Sequence, residues 1–256
     1  MDGFIDAQRK NLDLGKQSVY FKDLIGATDA AYRLAIEYVP PEGYTVAFGR
    51  FLLICHKSLL SAATLIAQAQ PEDSAGITRR AIEAAKLALA IKLNDENGRR
   101  WLSYQDDRWV KRDLNEKPAS FRLQLEGVRG DPLIDTLDKF LGILSDAHVH
   151  FTPEFYSSLD WEVRRNPDDS GEIHLNYFQR SPREVERHFI LLAAVHGKIL
   201  DAFDRCFDGR FRADEKVRAA VGEAWQIGKK LVDEYAARYG VSEESQVLTD
   251  DTPAPA

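Results

Sequence analysis

Two cysteines in 256 residues are too few for a disulfide framework or a paired-cysteine metal site. Cys55 and Cys206 each fall in an apolar helical pattern, which predicts two buried, reduced thiols. The chain also lacks a long apolar run free of charge. Its longest candidate, 47–66, is interrupted by Arg50, His56 and Lys57, so no membrane span and no membrane partner are expected. No apolar run follows the charges of MDGFIDAQRK, so no secretory leader is read and a cytoplasmic setting is expected by default. A basic excess is missing too: the formal net charge is −7, a poor prior for non-specific nucleic-acid binding. There is no glycine-rich phosphate loop and no nucleophile elbow, and no cofactor is expected. Nor is there an internal repeat.

What is present is helical periodicity. A hydrophobic content of 44% beside 29% charged residues is ordinary for a globular chain. The stretch Ile77 to Leu93, ITRRAIEAAKLALAIKL, is apolar on nearly every side after Ala81, which predicts a helix central to a bundle. Gly43 to Gln68 predicts a long helix before it, joined by a short connection, so the two should pair antiparallel, with Asp73 or Ser74 as cap. A helical stripe runs from Ser18 to Val39 and stops at Pro40-Pro41. Asn94 to Asn115 continues helical and more polar, and a short helix is expected around Phe121 to Leu125. Asp131-Pro132 is a cap followed by a first-turn proline, and opens a helix that runs out in SDAHVHFTP. Ser181-Pro182 with Glu184 opens another that Gly209 ends, and Asp214 to Tyr239 reads as the last.

Between these helices the period changes to two. Leu159, Trp161 and Val163, then Ile173, Leu175 and Tyr177, flank Asn166-Pro167-Asp168-Asp169-Ser170-Gly171, which predicts a β-hairpin. The expected fold class is therefore mainly α: an antiparallel helical bundle of about seven helices with one β-hairpin inserted at about 159–177. Residues 1–16 are expected to form an arm or short helix, 17–239 a single helical domain and 240–256 a disordered acidic tail.

Three constellations carry candidate chemistry. Arg79, Arg80 and Glu83 lie one turn apart at the start of the central helix, where either arginine can pair with the carboxylate or hold an anionic ligand. These charges are expected to enter the core, beside the second constellation. That one is Ser145, Asp146, His148 and His150, at a helix exit where imidazoles can do acid–base work. No clear third ligand accompanies the two histidines, so no metal is assigned. The third is Arg183 with His188, an arginine followed five residues later by a histidine on one helix. His56, His174 and His196 are read as packing or surface residues.

The TRRAIEAAK helix and the LSDAHVHFTP exit together resemble the DUF5677-type, HEPN-like helical proteins of bacteria, over roughly 49–153. Some of these are grouped with abortive-infection defence genes. In that pattern Arg80 and Glu83 match the helix pair, and His150 with the preceding Ser145 matches the later histidine. The chain departs from the pattern at His148, at the hairpin and in its poor arginine–histidine motif. The resemblance implies a bundle whose polar pocket, formed by Arg79, Arg80, Glu83, Ser145 and Asp146, binds a small anionic ligand or a partner protein in a defence or regulatory role. Its alternative is a metal-independent ribonuclease, with RNA as substrate and His150 or His148 as acid or base. A homodimer is compatible with the exposed apolar residues expected on the hairpin and last helix.

Overall fold

Three of the long helices begin on a proline, whose fixed φ suits a first helical turn and whose missing N–H is needed by no partner there. The computed structural model describes residues 2–37, 39, 45–94, 130–148, 161–165, 171–175 and 182–240. At 2–4, 45, 145–148 and in the strands the backbone alone is described. The chain is mainly helical. Helix α1 is Asp2–Gly15. A π-helical segment, Tyr20–Ile25, leads into α2, Gly26–Glu37. Then come α3, Thr45–Ala67, and α4, Pro71–Leu93. Helix α5 is Pro132–His148, α6 Pro182–Cys206, α7 Arg210–Ala213 and α8 Glu215–Tyr239. Strands β1, Trp161–Arg165, and β2, Gly171–Leu175, pair antiparallel with Val163 opposite Ile173. The helices expected at 94–115 and 121–125, and the tail after Gly240, lie outside the described residues.

Helix α4 is the central rod. Ala81, Ile82, Ala85, Ala88, Leu89 and Ala90 are fully buried, and its small side chains let α3, α5 and α6 approach. Helices α3 and α4 form an antiparallel hairpin in which the Cys55 thiol reaches the Ala81 carbonyl oxygen at 3.3 Å. Neither Asp73 nor Ser74 caps α4, because Pro71 starts the helix earlier. Ser74 lies inside the first turn, its hydroxyl donating to the Pro71 carbonyl. Asp131 does cap α5, accepting from the backbone of Leu133 and Ile134. Asp214 caps α8 in the same way through Lys216 and Val217.

The buried apolar residues of α2 to α6 and α8 form one cluster. Its largest closed side chains include Tyr32, Phe189 and Phe203. Phe48, Phe203 and Phe211 pack around Phe207 in one part of it, with ring centroids 5.4–6.4 Å from the Phe207 ring. Cys55 and Cys206 are free and buried, and burial pushes both thiols well above their ordinary range, to about 12 at Cys206. Helix α3 has the length and composition of a membrane span, yet its inner face packs on α4 and α6. Close approach of backbone fixes Gly15, where a Cβ would stand 2.7 Å from the Ala67 Cα as α1 crosses the end of α3.

Candidate functional site

The residues expected to carry chemistry at the start of α4 lie on its outer side. Buried positions Thr78, Ala81, Ile82, Ala85, Ala88 and Leu89 step by three and four, which turns 79, 80 and 83 away from the core. Arg79 donates through Nε to Glu83 Oε1 at 3.0 Å, with the two side chains 37% and 54% exposed. Arg80 is exposed as well. The expectation that these charges enter the core is therefore corrected. The apolar run of α4 needed only one wide face inside, and desolvating the ion pair would have opposed folding.

Helix α5 lies antiparallel beside α4. The Lys86 ammonium pairs with Asp138, while Lys92, near the end of α4, shares a cavity with Pro132, Leu133 and Thr136 at the start of α5. Arg79 is seven residues before Lys86 and Ser145 is seven after Asp138. At a rise of about 1.5 Å per residue both lie about 10 Å along from that pair, at one level of the bundle. Ser145, Asp146 and His148 are placed by backbone on the last turns of α5, and their side chains lie outside the described residues. His150 lies outside them altogether. The third constellation is divided. Arg183 is exposed, its guanidinium 5.9 Å from the Tyr239 ring centroid, whereas His188 is buried with Nδ1 2.7 Å from the Glu184 carbonyl oxygen.

Two further groupings come from the tertiary structure. The first joins α2, α3 and α6. Asp29 Oδ1 meets His56 Nε2 at 2.5 Å, and its other oxygen accepts from Arg33 at 2.8 Å. The Tyr32 ring stacks on His56, and the Tyr32 hydroxyl lies 2.8 Å from His196 Nδ1. Burial raises the Asp29 carboxyl, but the hydrogen bonds from His56 and Arg33 outweigh it and hold Asp29 below its usual range. Burial, with His56 nearby, lowers His196 to about 3, so it is a neutral imidazole at physiological pH. Tyr32 is pushed well above its ordinary range by burial and by Cys55. Tyr32 and His196 have no solvent-exposed surface, so their half of the network braces the helices and is closed to a substrate, while His56 and Asp29 lie nearer the surface.

The second grouping opens to solvent. At the C-terminal ends of α4 and α6, beside α5 and α7, lies a cavity of about 710 Å³. Four basic side chains line it, Lys92, Lys198, Arg205 and Arg212, against the carboxylates of Asp201, Asp204 and Asp208. Its shape follows from the turn after α6, where Asp208 and Gly209 both adopt positive φ and send the chain back into α7. Asp204, 8% exposed, accepts from the backbone of Phe211 and Arg212 and takes the Arg212 guanidinium at 3.1 Å. Arg205 pairs with Asp131, the α5 cap. Lys92 pairs with Asp208 at 2.7 Å, and Asp208 is 77% exposed. Burial pushes the Asp201 carboxyl above its ordinary range despite Lys198 and Arg212. None of the charged side chains lining this cavity stands out as a candidate in the sequence. The signal is there, in a dense run of charges from Lys198 to Arg212 that spans the end of α6, the turn after it and α7.

No protein-family model, curated protein or solved structure matches this chain. Among the described residues no cluster of three or more His, Cys, Asp or Glu side chains is arranged to hold a metal ion.

Proposed function

We propose that this helical bundle is a binding protein that takes a small anionic ligand into the cavity between α4, α5, α6 and α7. One observation carries the reading: four basic side chains, from α4 and from α6 to α7, open onto a single concavity of ligand size. The Lys92–Asp208 pair is an exposed one and contributes little to stability, so an incoming phosphate or carboxylate can replace Asp208 at small cost. Titrating the protein with inorganic phosphate and with a nucleoside monophosphate at low salt, by calorimetry, tests this. Saturable binding that Lys92→Ala and Lys198→Ala each weaken supports it. Binding unaffected by either change, or no binding, overturns it.

The α4–α5 register supports a second reading, a metal-independent ribonuclease in which Arg79 or Arg80 holds the phosphate and His148 or His150 acts as acid or base. What favours it is that Arg79 and Ser145 occupy one level of the bundle. Incubation with total RNA, with and without EDTA, beside a His150→Ala protein, decides it. EDTA-resistant cleavage lost in the variant supports the assignment. Cleavage that persists removes it.

A further inference from the structure

Every exposed position described in α3 is aliphatic or cationic. Val46, Leu53, Ile54 and Leu60 are 40–51% exposed, and Arg50 and Lys57 are the other two. The 23 residues of this helix include no Asp or Glu. Single exposed leucines are ordinary; four large aliphatics on one helix face are not. Positions 46, 50, 53, 57 and 60 step by four and three, so they form a straight seam of seven-residue period, about 21 Å long at 1.5 Å per residue. Among the described residues neither Arg50 nor Lys57 has an ion-pair partner.

We propose that this seam docks an amphipathic helix of a partner protein, with apolar residues at the same seven-residue spacing and carboxylates opposite Arg50 and Lys57. The period argues for a helix, because seven-residue spacing is what keeps a seam in register with a second helix. The charge argues for an acidic one, since the seam carries two cations on a helix without a single carboxylate. A second copy of α3 fits worse. Two such seams would gather four cations without one carboxylate. A lipid surface has no repeat to match, and the net charge of −7 opposes approach to anionic headgroups.

The probe is a three-heptad peptide with leucine at the seam positions and glutamate beside them, compared with its lysine counterpart by fluorescence anisotropy. The glutamate peptide should bind and the lysine peptide should not. Leu53→Asp should weaken binding at least about tenfold. Arg50→Glu with Lys57→Glu should reverse the preference, and as these positions are exposed the variants should melt like the parent. The proposal is overturned if the two peptides bind equally or not at all, or if charge reversal leaves the preference unchanged. It also falls if Leu53→Asp instead abolishes self-association in sedimentation, or binding to phosphatidylglycerol vesicles, with no peptide bound.

Discussion

Helix α4 carries charge towards both its ends, and the surrounding structure treats the two ends differently. Near the start, Arg79 and Glu83 close on each other along the outer surface of a regular helix, both well solvated. Near the end, Lys92 meets the turn after α6, where Asp204 is 8% exposed and the chain folds back on itself. A continuous helix offers a charged side chain only a convex surface. Helix ends offer exposed N–H groups, caps and a change of direction, so charges there can be held inside a concavity. Charge in the sequence is thus a weak guide to a site unless the chain's turns are known as well.

The widest test of this contrast is removal of the carboxylate that organises the far end. Asp204→Ala takes away the acceptor for two backbone N–H groups and the partner of Arg212. It is expected to lower stability by about 2–4 kcal/mol in urea denaturation. The buried Tyr32–His196 pair between α2 and α6 supplies the next effect. His196 titrates at about 3 when folded and near 6.5 when unfolded, so below pH 6.5 the unfolded chain binds the proton first. Its contribution is fully present above pH 6.5 and is lost on acidification towards pH 3. Unfolding free energy measured against pH should fall by about 1.4 kcal/mol per unit in that window, and His196→Gln should flatten the slope. Asp29, held low, adds loss only below the ordinary carboxylate range. Asp201, held high, acts with the opposite sign.

A smaller effect is expected from Tyr32→Phe, which deprives buried His196 Nδ1 of its partner and should lower stability by about 1–2 kcal/mol in the same denaturation. The smallest belongs to the near end of α4. Arg79→Ala or Glu83→Ala breaks an exposed one-turn pair and should stay within about 0.5 kcal/mol of the parent. A loss near that of Asp204→Ala would erase the distinction between the two ends.

Much of the helical framework was legible in the residues. The prolines and aspartates that open α5, α6 and α8, and the alanine-rich run of α4, declare themselves by local chemistry that needs no distant partner. The π-helical turn at Tyr20–Ile25 leaves no mark in the sequence, since the apolar stripe around it has an ordinary helical period. The outward placement of Arg79, Arg80 and Glu83 is hidden in the sequence for a related reason. A helix that is apolar almost all round still chooses one face to bury, and its neighbours make that choice. His56 and His196 looked like isolated packing residues, because Asp29 and Tyr32, which join them, are separated from them in sequence by 27 and 164 positions.

Local order was written in the chain itself: which segments coil, where they start, and that two thiols stay buried and reduced. Caps, helical period and proline act over a few residues, so no folding is needed to read them. Only the tertiary structure decided which charges share a hollow, which imidazole is sealed from water and which face of α3 is left bare. Each of those depends on side chains far apart in sequence meeting at one point, and on how much water remains between them.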